Sequence, residues 1–368
     1  MTRDIALVLP PRERFRPGDA GAAALTVKEF IEVSAYRERI TVYGGTVEHF
    51  PGFAYEHVAA STSWLLGVTL AYARACARAL RQSPARLIEV HNRVELALYL
   101  KRQFPERKVS LHFHNDPQGM AGAKTVAERR RLLSSLDAIY CVSEFVRARL
   151  LDGNTDLDVA PVQVIYNATR TSAGQPEVAK LPQVVYAGRF IPEKGVLELA
   201  QALAQVLPEF PAWKSVFLGA WGFGHEAGRS DYEKRVYAEL DRVAGQVDFR
   251  GHVAHEEVLR VFTESSVSLA PSTGIDAFPR APIEAMDRGC ALIVSAMGGL
   301  REIAGDAAIV VDPVTPEGLA KALRSLLQDE ARRAEVAQAG QRRAREVFGL
   351  DAQIARLDGV RQQLLQEP

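Results

Sequence analysis

The chain has 368 residues, longer than one hydrophobic core usually serves, so two domains are expected. Its 45 Lys and Arg balance 45 Asp and Glu, which excludes a global field favouring nucleic acid, and its 47% apolar and 24% charged residues are ordinary globular values. Three scattered cysteines, Cys76, Cys141 and Cys290, argue against a disulfide framework and for reduced thiols in a cytoplasmic protein.

In chain order, the first apolar run, Ile5–Leu9, is bounded by Pro10-Pro11 and is too short for a signal-peptide core. Strands are predicted there and at Ile40–Tyr43, Leu87–Val90, Val109–Phe113, Ala138–Val142 and Val162–Tyr166. Helices are predicted at Ala22–Val33, Trp64–Leu80, Arg93–Gln103 and Glu144–Leu151. The run from Trp64 stops being apolar at Arg74, well short of the ~20 residues of a spanning helix. Small, polar and proline residues over Thr169–Leu181 read as a linker. The alternation then restarts, with strands predicted at Val184–Ala187, Ser215–Leu218, Val247–Phe249, Val267–Leu269, Ala291–Val294 and Ala308–Val311. Pro316 to Leu365 reads as helical, interrupted by Gly340 and Phe348-Gly349. Repeated βαβ units imply two successive doubly wound α/β domains.

Two segments carry chemistry. After the run Val267–Ala270, Asp276-Ala-Phe-Pro-Arg-Ala-Pro-Ile-Glu284 sets two carboxylates eight positions apart across a turn and into a short helix. Carboxylates at the carboxyl edge of an open sheet can accept hydrogen bonds from a sugar and a ribose, which suggests a nucleotide-sugar site. Gly188-Arg-Phe-Ile-Pro-Glu-Lys-Gly195 leaves a strand and opens a helix, whose unpaired N–H groups favour a phosphate. Arg189 adds a bidentate fork and Lys194 a mobile charge, together able to neutralise a diphosphate leaving group. The plain alternative is a strand-ending arginine and a solvated lysine.

These residues, with Phe249-Arg-Gly-His-Val253, Ala270-Pro-Ser272 and Gly298-Gly-Leu-Arg-Glu302, occur in the order and near the spacing of a known family. The second half resembles the retaining glycosyltransferases of family 4. The resemblance implies the GT-B fold, two Rossmann-like domains facing a central cleft. An acceptor domain is expected over 1–172 and a donor domain over 173–350. A C-terminal helix over 351–368 would then be placed to pack back on the first domain. It further implies that Asp276 binds the transferred sugar and Glu284 the ribose. Gly251, His252 and Val253 would lie near the base, Ala277 and Phe278 beside the donor, and Gly298-Gly299 would close the site. Two departures fall on the sugar side: Asp276 stands where glutamate is usual, and Pro279, which has no N–H, where glycine is common.

The first half resembles the family's acceptor domain at fewer points. Pro17-Gly-Asp-Ala-Gly-Ala22 matches a loop that approaches the donor phosphate, so Gly18 and Gly21 are donor-binding candidates. His112-Phe-His114 ends a strand, and the resemblance places His114 near the reacting centre, with His112 on the same side by alternation. Ser143 reads as a helix cap, and Asn167 matches an asparagine near the family's interdomain hinge.

The implied activity is retaining transfer of a sugar from a nucleotide-diphosphate sugar to a glycan or lipid-linked glycan, in lipopolysaccharide or exopolysaccharide synthesis. His114, Asp276, Arg189 and Lys194 are the catalytic candidates, with no cofactor, no metal and no nucleic-acid partner expected. The alternatives are an epimerase or phosphorylase on the same fold, or a non-catalytic nucleotide-sugar binder. Asp156-Leu-Asp158 and Gly219–Gly224 are set aside, the first as a D-x-D in a polar loop and the second as glycines in the wrong order for a dinucleotide fingerprint. Lys101-Arg102, Arg107-Lys108 and Arg129–Arg131 admit two readings, solvated faces or a peripheral contact with the inner face of the membrane.

Overall fold

A computed structural model describes residues 2–18, 20–60, 67–154, 161–174, 178–220 and 230–366. The chain divides into two compact units, Met1–Asn167 with Leu350–Pro368, and Ala168–Gly349. The sequence predicts the divisions a few residues later, at 172/173 and 350/351.

In the first unit, β1 (Ile5–Val8), α1 (Ala22–Val33), β2 (Ile40–Gly44), β3 (Tyr55–His57), α2 (Gly67–Arg81), β4 (Leu87–His91) and α3 (Val94–Gln103) follow in turn. Then come β5 (Lys108–Phe113), α4 (Val126–Ser135), β6 (Ala138–Cys141), α5 (Glu144–Leu151) and β7 (Val162–Val164). The seven strands form one parallel sheet in the order β3-β2-β1-β4-β5-β6-β7. Strands such as β1 are buried at every position, as a sheet covered on both faces requires. Both β3 and α4 escaped the sequence reading. β3 has only three residues, two of them exposed, and the sequence of α4 presents itself as a charge run, Glu128–Arg131.

The second unit holds β8 (Leu181–Ala187), α6 (Val196–Val206), β9 (Lys214–Leu218), α7 (Asp231–Leu240), β10 (Val247–Gly251) and α8 (His255–Glu264). It continues with β11 (Ser265–Ala270), α9 (Arg280–Asp287), β12 (Ala291–Ser295), α10 (Leu300–Ala304), β13 (Ile309–Val311), α11 (Pro316–Leu327) and α12 (Glu330–Phe348). Its parallel sheet runs β10-β9-β8-β11-β12-β13. A core of Val184, Tyr186, Leu199, Leu203, Phe217, Val267 and Leu323 fills the space between this sheet and its helices. The helical tail breaks at Asp329, which caps α12, and at Gly349, whereas Gly340 lies inside α12, where a methyl group would touch Met286.

The last helix, α13 (Leu350–Gln366), belongs to the first unit. Arg361 donates from Nε and Nη2 to the two carboxylate oxygens of Glu89 on β4, at 2.9 and 2.7 Å, both side chains being buried. Asp358 accepts from Ser34 Oγ and Ala35 N at the end of α1, and Gln353 accepts from Tyr166 N. Such pairs add little net stability after desolvation, but they fix where the helix sits.

All three cysteines are buried and free of disulfides. Among the described residues, no helix is long and apolar enough to cross a membrane.

Candidate active site

In the second sheet the chain builds outward from β8 to β10, then returns to the middle and builds the other way from β11. The switch point therefore lies between β8 and β11, where open α/β sheets take ligands beyond their carboxyl ends. The two chemistry-bearing segments leave the sheet at this point, Gly188–Gly195 after β8 and Pro271–Pro279 after β11.

Backbone contacts strap these loops together. Thr273 N and Gly274 N both donate to the Glu193 carbonyl at 3.0 Å, and Thr273 Oγ1 donates to the Pro192 carbonyl at 2.8 Å. Gly195 caps α6 at φ +65°, and a Cβ there would stand 1.9 Å from the Pro271 carbonyl oxygen. Only glycine suits both demands. Lys194 Nζ consequently donates to Asp276 Oδ2 at 2.5 Å, and Ser272 Oγ donates to the same oxygen at 3.1 Å. Gly299 N donates to the Asp276 carbonyl at 2.7 Å, while a Cβ on Gly298 would meet that carbonyl at 2.2 Å. The glycine pair thus braces the acidic loop from behind.

Glu284 lies in the second turn of α9 and is 3% exposed. Arg280, one turn earlier, donates to its Oε1 from Nε and Nη2 at 3.1 and 2.9 Å, and His255 Nε2 sits 2.9 Å from the same oxygen. Burial alone would raise this carboxyl, but Arg280 and His255 outweigh it and hold it at about 2. Glu284 is therefore an anion at neutral pH.

Arg189 is exposed and makes no side-chain ion pair among the described residues. Gly251 ends β10 at φ +65°, and His252 and Val253 follow it, half-buried. The residue of this stretch that reaches Glu284 is His255, at the start of α8. Phe278 is 3% exposed and meets Phe348 edge-on at 5.4 Å, so its ring anchors the loop in the unit's own core. Helices α6, α8 and α9 begin at Gly195, Ala254 and Pro279 without a capping side chain, whereas Thr315 and Asp329 cap α11 and α12. Uncapped starts leave backbone N–H groups for an anion.

The remaining candidates lie in the first unit. Gly18 has φ +90° with open space where a Cβ would go, so the turn and not a close approach requires glycine. Gly21 caps α1, and Glu13 supplies the carboxylate that its missing side chain cannot, accepting from Ala24 N at 3.1 Å. That helix start is filled from within the chain, by a residue the sequence reading passed over. His114 Nε2 lies 2.9 Å from Nδ1 of His91, and its backbone N–H donates to Asn92 Oδ1 at 3.2 Å. Burial pushes His114 down to about 4, so it is neutral at physiological pH. Ser143 caps α5 by accepting from Val146 N. Asp156–Asp158 and the glycines at 222 and 224 lie outside the described residues.

The sequence matches two family models, Glycosyltransferase Family 4 over residues 37–173 and Glycosyl transferases group 1 over 168–343. Spore coat protein SA of Bacillus subtilis is 25% identical over 297 residues, 76% of this chain and 78% of that protein. The lipopolysaccharide 1,2-N-acetylglucosaminetransferase of Salmonella typhimurium is 23% identical over 260 residues, 67% of this chain and 65% of that enzyme. Among solved structures, Alr3699/HepE of Anabaena in complex with UDP and glucose superposes with a TM-score of 0.76 at 19% identity, covering 98% of this chain and 99% of that one. Sucrose-phosphate synthase of Thermosynechococcus elongatus gives a TM-score of 0.76 at 18% identity over 99% of both chains. With the two models side by side from residue 37 to 343 and two parallel-sheet Rossmann-like domains of the GT-B type, the chain belongs to the family 4, group 1 glycosyltransferases.

Proposed function

We propose that the chain transfers a sugar from a nucleotide-diphosphate sugar to a glycan or lipid-linked glycan, with retention at the anomeric carbon. The observation that carries this reading is the Lys194–Asp276–Ser272 cluster at the β8/β11 switch point, with ionised Glu284 on the helix that follows. In this reading Arg189, Lys194 and the uncapped start of α9 receive the diphosphate. Asp276 orients the sugar through a hydroxyl, Glu284 takes the ribose, and Gly251–Val253 line the base. Two cations and a helix start supply the leaving-group charge, so no metal is needed at the phosphates. Of the first unit's residues, His114 is the proposed contribution near the acceptor, and Gly18 and Gly21 are proposed for donor binding.

Among the described residues no side chain stands out as a covalent nucleophile, which favours same-face substitution. The acceptor oxygen bonds to the anomeric carbon as the bond to the diphosphate breaks, and the acceptor proton passes to the departing phosphate oxygen. The lipopolysaccharide N-acetylglucosaminetransferase and the complex of a structural neighbour with UDP and glucose support a surface-glycan setting and a uridine donor. Incubation with a donor panel should release nucleoside diphosphate only when a glycan acceptor is present, with retained configuration by NMR. An inverted product would remove the retaining mechanism, and a donor altered without acceptor would point to an epimerase.

Peripheral membrane contact belongs to the same reading, although part of the basic surface is engaged within the unit. Arg129 is buried against the carbonyls of Lys124 and Asp152, and Lys101 pairs with Asp137 at 2.8 Å. Arg102 and Arg131 remain exposed. Flotation with anionic liposomes should succeed at low salt and fail at high salt. Protein left unbound at low salt would sink this contact.

A further inference from the structure

The buried face of the first sheet carries a cluster that the donor chemistry does not use. His91 ends β4 opposite His112 on β5, and His114 follows two residues later, so all three leave the same face at the carboxyl edge. Parallel strands covered on both faces are normally apolar, and three imidazoles here need a reason. His91 and His112 are 3% and 6% exposed. One nitrogen from each of the three rings lies within 4.8 Å of the others. The Nε2 atoms of His91 and His112 are buried with no hydrogen-bond partner among the described residues. Each such buried orphan carries an uncompensated desolvation cost unless something fills the site.

We propose that His91, His112 and His114 form a three-nitrogen site for a late first-row divalent cation of the zinc class, open at its fourth position. Neutral imidazoles are the ligating form. Nitrogen donors with no carboxylate among them select zinc-like ions over magnesium or calcium. The neighbouring Arg361 does not repel the ion with a full charge, because Glu89 and Asp358 hold it in ion pairs. The pocket that the histidines line has mostly apolar walls, among them Leu7, Val27, Phe30 and Leu357, with Thr26, Asn167 and Arg361 as its other polar residues, so the imidazoles are its nitrogen ligands. Binding requires one nitrogen of each ring, now within 4.8 Å of the others, to settle at about 3.3 Å from them, the spacing set by metal–nitrogen bonds of ~2.0–2.1 Å at tetrahedral angles. Each imidazole ligates through one unprotonated nitrogen, and a change of tautomer within a neutral ring moves its proton between the two nitrogens with no net release. This site lies within one unit and needs neither donor nor acceptor.

The test is a titration of the full chain, stripped by chelator dialysis, with Co²⁺. One equivalent is expected to raise an intense visible d–d band, which Zn²⁺ then removes by displacement. His112→Ala and His114→Gln should each abolish the band, while the exposed pair His49→Ala/His57→Ala should keep it; circular dichroism confirms that each variant is folded. A wild-type chain with no stoichiometric band overturns the site without recourse to any variant. A band that survives in both folded histidine variants also overturns it.

Discussion

Lys194→Ala should lower the rate of sugar transfer on the order of a hundredfold or more, with a smaller change in donor affinity. Charge on the departing diphosphate grows in the transition state, so a cation placed for it contributes more there than in the ground state. In the present structure Lys194 neutralises Asp276 at 2.5 Å. The variant would therefore leave an uncompensated carboxylate beside the diphosphate, adding repulsion to the lost attraction. Lys194→Arg should recover part of the rate, since it restores the charge with a different geometry. Steady-state kinetics decide the matter: wild-type turnover in the alanine variant would place the diphosphate elsewhere.

Arg280→Met should destabilise the second unit by about 3–5 kcal/mol, because it strands a buried carboxylate. The pH dependence supplies a second reading of the same pair. Glu284 is held at about 2 against an ordinary 4.5, so its contribution is present above pH 4.5 and is lost as pH falls towards 2. A shift of that size corresponds to roughly 3 kcal/mol. Denaturant unfolding of wild type and Glu284→Gln at pH 7 and pH 3 should show the wild-type advantage shrinking at the lower pH. An advantage that stays constant between those values would remove Arg280 and His255 as the groups that hold the anion.

Both variants probe partnerships that one-dimensional reading saw only in part. The strands of both sheets were visible because buried parallel strands are short apolar runs between turn signals, as in Ile5–Val8 and Ala291–Ser295. Helix α4 was hidden by its charge, although Thr125 and Glu128 spell a capping box and do form one. Arg129, in its first turn, is buried and donates to carbonyl groups, which no pattern of charges announces. Tyr55–His57 pairs with β2 at the edge of its sheet and is too short and too exposed for alternation to reveal.

The acidic segment and the Arg189–Lys194 loop were legible because type and spacing carry the chemistry. What holds them depended on strand order. Only the β8/β11 adjacency brings Lys194 to Asp276, and only the register of β4 against β5 brings His91 beside His112. Arg280 was within reach of sequence reasoning, since an arginine four residues before a glutamate on a helix faces it. His255 was not, because its distance to Glu284 is set by how α8 and α9 pack.

The central claim is that the carboxyl edge of the second sheet binds a nucleotide diphosphate between β8 and β11. Thermal unfolding of the full chain with UDP, GDP and ADP, all at one common concentration, tests it directly. A nucleotide present at a hundred times its dissociation constant stabilises by about 2.7 kcal/mol. One of the three should raise the midpoint of the wild-type chain clearly, and much less so in the Arg189→Ala/Lys194→Ala double variant. No shift with any nucleotide, or an equal shift in both chains, would contradict the site.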